Sequence, residues 1–272
     1  MKTCIVITPD KSKFSPLLFA GNMEYGIKKA SELGYDGVEL NICNPLKVNQ
    51  NDILEILYSY DLKLVSLGTG QAYYDEGISL AESNSKIRKK TVERLKEHIV
   101  FANKADAQVV LGSIRGTFSK NPELRNKEYQ GAIESVKTCA DIAIDYNVTL
   151  TVEPINSKDT SFINTIQEGL DFLQKIDKRN IKLLADTFQM EFDEKSIPDA
   201  LKQAGDLLAH VHLVDSNRKV PGYGNIDFKS VFKTLKEINY KGYLSAEIIP
   251  KPNDEIAATN YIKNVKKILK SI

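Results

Sequence analysis

Short apolar runs alternate with longer amphipathic ones along the chain. Eight runs rich in Val, Ile and Leu, at 4–8, 37–42, 63–67, 108–111, 148–152, 181–185, 209–214 and 243–248, predict strands covered on both faces. Between them, apolar positions at helical spacing predict helices at 23–33, 51–60, 85–105, 127–146, 165–176, 197–204, 228–238 and 254–269. Gly34 suits a helix C-terminal cap, and Asn164 and Asp227 suit N-caps. A βα unit repeated about eight times in 272 residues predicts parallel strands with crossover helices. The expected fold is α/β, a (β/α)8 TIM barrel forming a single domain over 1–272. A doubly wound open sheet would carry a glycine phosphate fingerprint after its first strand, where Thr8-Pro9-Asp10-Lys11 stands instead.

Polar residues interrupt this pattern late in four consecutive strands. Successive strand side chains point to opposite faces. Val148, Leu150 and Val152 share one face, and Thr149, Thr151 and Glu153 the other. By the same parity Asp186, His212 and Glu247 oppose the continuously apolar, helix-facing side. These four side chains are therefore expected inside the barrel. Pro154 cannot donate to a ladder, which puts Glu153 at the carboxyl end of its strand, where barrel enzymes hold their active sites. Three carboxylates and an imidazole gathered there would repel strongly, by roughly 4 kcal/mol for two unit charges about 4 Å apart at an effective dielectric of 20. A divalent cation resolves the conflict. Three oxygen donors and one nitrogen suit Mn2+, Mg2+ or Co2+, with Mn2+ the first choice. The bland alternative is a set of separate ion pairs. Glu39 also points inward, either orienting a site group or sitting in a buried ion pair. His210 shares the parity of His212 but lies deeper, as a hydrogen-bonded core residue would, and His98 falls mid-helix in a structural position.

Composition narrows the function classes. The chain is 42% hydrophobic and 27% charged, with net charge +1. Nothing in that balance suggests capture of nucleic acid or anionic lipid. The three cysteines, Cys4, Cys43 and Cys139, have neither disulfide-framework nor zinc spacing and read as reduced thiols. The first apolar run stops at Pro9, and no run reaches the length of a membrane helix. A cytoplasmic protein with no membrane and no nucleic-acid partner is expected.

The segments TVEPIN, LLADTF, HVHLVDSNRKVPGYG and SAEII resemble the xylose isomerase-like barrels of the sugar epimerase/isomerase group, nearly end to end. GTGQAYYDEGISL, IRKKTVERLKEH, LGSIRG and SFINTI are similar to the branch that equilibrates 5-keto-L-gluconate with D-tagaturonate. The resemblance implies a metal-dependent epimerase or isomerase of a small sugar substrate, and a dimer or tetramer. It places the metal ligands on Glu153, Asp186, His212 and Glu247, the set that strand parity also selects. It places the acid/base pair on Glu153 and Glu247, with proton transfer through an enediolate, and an oxygen-binding arginine on Arg218.

Five positions in three places depart from the family. Ser157-Lys158-Asp159 replaces Arg-Tyr-Glu, Gln189 replaces a histidine that bonds a substrate oxygen, and Asn225 replaces another histidine. The expected substrate contacts are Arg218, Gln189, Asp159, Arg115 and Gln71. Arg115 would meet a carboxylate or phosphate; otherwise it is a solvated loop arginine. Residues 68–77, with Gln71, Tyr73 and Tyr74, form either a lid over the sugar or ordinary loop packing. Alternatives within and outside the class are an aldose–ketose isomerase of hydroxypyruvate type and a non-catalytic sugar-binding barrel. DNA-repair endonucleases on this barrel need a histidine-rich zinc cluster, and this chain has three histidines.

Overall fold

Eight parallel strands close into one barrel in sequence order. They are β1 (Lys2–Ile7), β2 (Gly37–Asn41), β3 (Lys63–Gly68), β4 (Gln108–Leu111), β5 (Leu150–Val152), β6 (Ile181–Asp186), β7 (Leu208–His212) and β8 (Tyr243–Ala246). The helices are α1 (Met23–Leu33), α2 (Gln50–Ser59), α3 (Gly70–Glu76), α4 (Ser85–Lys104), α5 (Arg125–Asp145), α6 (Ile166–Ile176), α7 (Thr187–Asp193), α8 (Ile197–Ala204), α9 (Phe228–Glu237) and α10 (Asp254–Leu269). The computed structural model describes residues 1–11 and 16–271. The (β/α)8 architecture expected from the alternation is the one found.

The helices form because one stripe of each is apolar. In α6 the buried positions are Ile166, Gly169, Phe172, Leu173 and Ile176, a single face at helical spacing. Gly169 lets that face approach β6, since a Cβ there would lie 2.9 Å from Leu183 Cδ2. Gly34 ends α1 with φ +76, the left-handed conformation that glycine adopts without a steric penalty. Asp227 caps α9 as expected. At α6 the cap is Thr165, not Asn164. Asn164 Nδ2 is already committed to the carbonyls of Ile155 and Thr160, at 2.7 and 2.9 Å. Its own N–H donates to Glu168, which reaches back from the first turn.

Four strands are shorter than the apolar runs. β2 ends at Asn41, β5 starts at Leu150, β7 ends at His212 and β8 ends at Ala246. Past His212 the chain leaves the ladder because a side chain takes over its bonding. Val214 N donates to Thr187 Oγ1 at 2.8 Å, and that hydroxyl donates to Val214 O at 2.6 Å. Two short helices, α3 and α7, follow β3 and β6 directly; seven residues each are too few for a period to register. Inside the barrel, Ser66, Thr151, His210 and Ser245 are wholly buried, so inward parity carries polar groups down the barrel axis.

Candidate active site

Strand register sets the depth of the central cluster. Asp186 on β6 lies opposite His212 on β7, and His212 lies opposite Ser245 on β8. Glu153 follows the last residue of β5, and Glu247 the last of β8. Glu153, Asp186, His212 and Glu247 are all buried and offer one donor atom each, all within 4.8 Å of one another. His212 Nδ1 is 3.6 Å from Glu247 Oε2, 3.9 Å from Glu153 Oε1 and 4.0 Å from Asp186 Oδ2. Neither His212 Nδ1 nor Asp186 Oδ2 has a hydrogen-bond partner, although both atoms are buried. Unpaired buried polar atoms are costly. Two such atoms facing one point, among three carboxylates, fit a divalent cation of the oxygen-preferring kind.

The electrostatics agree. Burial, and next the charge of Glu247, push the Glu153 carboxyl up to about 8. Burial also raises Asp186, with Arg218 and His212 opposing it. Burial alone would lower His212, but Glu39 and Glu247 outweigh it and hold the ring well above its ordinary value. Glu39 is the reverse case. Burial would raise it, yet His212 and His210 keep its carboxyl well below the usual range. Glu39 Oε2 accepts from His210 Nε2 at 2.8 Å and His212 Nε2 at 3.2 Å. Glu39 therefore sits in a buried pair with both histidines, one of the two readings open for it. His210 is the buried, hydrogen-bonded residue its depth suggested. His98 bridges the carbonyls of Arg94 and Ile42 at 2.9 and 2.8 Å, also away from the cluster.

Arg218 reaches the cluster from the loop after β7. Its guanidinium is 2.5 Å from Glu247 Oε2 and 3.9 Å from Asp186 Oδ2, and it lies over the Phe188 ring at 4.7 Å. Its backbone sits at φ +58, an uncommon position for a branched-off long side chain. Asp215 makes that turn. Wholly buried, it accepts from the N–H groups of Ser216, Gly222, Gly224 and Ile226 at 2.7, 2.7, 2.8 and 3.3 Å. Gly224 is required by closeness, since a Cβ there would stand 2.3 Å from Asp215 Oδ1. The sequence alone left Asp215 without a role.

Above the cluster opens a cavity. Gln189, Asp159 and Arg218 line it together with Glu153, His212 and Glu247. Arg115 and Gln71 do not. The Arg115 guanidinium is buried, with Nε on Glu153 O at 2.9 Å and an Nη on Ile163 O at 3.0 Å. It is not solvated and does not line the cavity; it ties the end of β5 to the segment before α6. Gln71 is also buried, and its amide donates to Thr8 Oγ1 at 2.7 Å. The 68–77 segment is largely the helix α3, held by Glu76 on Arg94 of α4 at 2.7 Å. Of its aromatics, Tyr74 lines the cavity and Tyr73 packs on the core.

Two of the departures, Ser157-Lys158-Asp159 and Gln189, form one structured patch, while Asn225 lies apart in the loop after β7, its N–H on Ser216 Oγ at 3.0 Å. Gln189 Oε1 accepts from Asn156 N at 3.2 Å and also from Asn156 Nδ2. Asn156 Nδ2 further donates to Asp159 Oδ2 at 2.8 Å. Ser157 N and Oγ bond Asp193 at the end of α7 at 2.7 and 2.6 Å, and Lys158 Nζ lies over Phe192 at 4.2 Å. Asn156 and Asn41, which also lines the cavity, were missed. Asn41 shares the inward parity of Glu39, a signal that was present in the pattern.

Comparison with known proteins decides the family. The model described as xylose isomerase-like TIM barrel matches residues 27–268. The chain belongs to that family. It is 28% identical over 232 residues to D-psicose 3-epimerase of Ruminiclostridium cellulolyticum, covering 82% of this chain and 77% of the relative. It is 25% identical over 236 residues to 3-dehydro-D-guloside 4-epimerase of Escherichia coli, covering 84% and 88%. The crystal structure of a D-psicose 3-epimerase in the presence of D-fructose superposes with a TM-score of 0.84 at 22% identity, over 99% of each chain. These relatives are carbohydrate epimerases, enzymes of the isomerase class. No helix among the described residues is long and apolar enough to cross a membrane.

Proposed function

We propose that this protein is a divalent-metal-dependent epimerase that inverts a carbon next to the carbonyl of a ketose or keto-sugar acid. The pair 5-keto-L-gluconate and D-tagaturonate is the first to test. One observation carries the reading: four buried donors from β5 to β8 converge, with two of them left without protein partners. When bound there, Mn2+, Mg2+ or Co2+ would supply a Lewis acid that makes the hydrogen beside the carbonyl more acidic. Glu153, Asp186, His212 and Glu247 would hold it.

The chain's own groups do the rest. Glu153 and Glu247 follow β5 and β8, the strands on either side of β6 and β7, a placement that supports a role for them as two groups flanking the substrate. One glutamate takes the proton, leaving an enediolate, and the other returns a proton to the opposite face. Two flanking bases fit inversion at one carbon better than a shuttle between adjacent carbons, which would give aldose–ketose isomerisation. Arg218 fits a role in clamping substrate oxygens. Gln189 lines the cavity; with its amide oxygen taken up by Asn156 it keeps N–H donors to offer, and it cannot itself carry a proton. Asp159 lies within reach as an acceptor. In the same proposal the enzyme is cytoplasmic and assembles as a dimer or tetramer.

NMR in D2O tests this. Protein stripped with EDTA and reloaded with Mn2+ is incubated with ketohexoses, ketouronates and their phosphates. Deuterium should enter beside the carbonyl only in the loaded sample. Glu153→Gln and Glu247→Gln should each slow that uptake by at least about 100-fold. Binding of a sugar without any exchange would instead identify a non-catalytic binding barrel.

A further inference from the structure

Glu39 and His210 lie below the cluster and take no part in the chemistry proposed above. Glu39 on β2 reaches across the barrel interior to β7. Its Oε2 receives His210 Nε2 at 2.8 Å and His212 Nε2 at 3.2 Å, with Ser245 Oγ at 3.5 Å. All four residues are 0–1% exposed. An ionised carboxylate only accepts, so the hydrogen of the 3.2 Å contact with His212 belongs to Nε2. The opposite ring nitrogen, Nδ1, is then the one turned to Glu153, Asp186 and Glu247. It is the buried ring atom with no hydrogen-bond partner. His210 meets the same carboxylate oxygen nearly edge-on to His212, with ring planes at 83° and centroids 5.3 Å apart. Both histidines thus hold the same oxygen, Oε2, from two directions.

We infer that Glu39, braced by His210, is a positioning residue that fixes the tautomer and ring direction of His212 so that Nδ1 faces the three carboxylates. The inference rests on the metal-dependent reading of that site. Partners that hold the far nitrogen of a ligating histidine typically change metal affinity by about 10–100-fold when removed. Removing a carboxylate that served only to stabilise the barrel would lower the melting temperature and leave the affinity of the folded chain alone.

Calorimetric titration with Mn2+ of EDTA-stripped, full-length protein is the test, with wild type measured first. A wild type that binds no Mn2+ overturns the metal reading itself. Given wild-type binding, Glu39→Gln and Glu39→Leu should bind about 10–100-fold more weakly, Glu39→Asp should recover part of the loss, and His210→Asn should lie between. Near-ultraviolet circular dichroism checks that each variant is folded. Should a variant not fold, ¹⁵N NMR of the His212 ring in Mg2+-loaded wild type replaces it. A proton-coupled Nε2 and a proton-free Nδ1 are expected. Unchanged Mn2+ affinity in folded Glu39 variants, or the proton found on Nδ1, overturns the positioning role. So does a second Mn2+ per chain that disappears on changing Glu39 and His210, since those residues would then be ligands.

Discussion

A methyl group at Gly112 would stand 2.5 Å from Glu153 Oε2. The nearest atom is the carboxylate at the end of a side chain, so Gly112→Ala should displace Glu153 rather than break β4. A displacement near 1 Å at a reacting group costs about 100-fold in rate. We expect kcat to fall by roughly that factor, with KM and the melting temperature close to wild type; steady-state kinetics and thermal unfolding read both. Gly112 illustrates what a sequence hides at this scale. Strand parity alone singled out Glu153, Asp186, His212 and Glu247, because a period of two and a covered outer face leave no other direction for them. Closeness has no such signal. Arg115 was equally opaque: its partners are main-chain carbonyls 38 and 48 positions away, set only by the folded path of the chain.

Between β7 and α9 the chain is held open by one carboxylate. Asp215 satisfies four backbone N–H groups and thereby fixes the turn that aims Arg218 at Glu247. Asp215→Asn keeps the size but replaces one acceptor oxygen with a donor facing N–H groups. It should cost about 2–3 kcal/mol of stability, the scale for buried groups left unpaired. It should also raise KM, because Arg218 loses its aim. Urea unfolding gives the first quantity and kinetics the second, while faster amide exchange at Gly222 and Gly224 would localise the change. Elements of this kind divide by length. Helices of ten residues or more show an apolar stripe and were placed within two residues of their ends, as for α2, α5 and α9. The seven-residue α3 and α7 carry no such stripe. They are set by where β3 and β6 deliver the chain, and Tyr74 and Gln189 reach the cavity on them.

For the whole molecule, the barrel brings three acidic groups, from β5, β6 and β8, into one buried place beside His212, and stability must then depend on what neutralises them. Metal-free, the Glu153 carboxyl titrates near 8, against about 4.5 for an ordinary glutamate. A carboxyl raised in the folded state binds more protons there than in the unfolded chain between those values. Its contribution to stability is therefore full below about 4.5 and drains away as pH rises through about 8. EDTA-treated protein should accordingly melt at progressively lower temperature from pH 6 to pH 8.5. A divalent cation takes the place of that proton, and a ligand bound only to the native state adds RT ln(1 + [L]/Kd), about 2.7 kcal/mol at a hundredfold excess over Kd. With Mn2+ present the decline should flatten, so the gap between loaded and stripped samples widens with pH. Differential scanning calorimetry at pH 6, 7 and 8.5 measures that gap. A gap that stays constant, or narrows as the solution becomes alkaline, would mean that the cation and the Glu153 proton do not compete for one site.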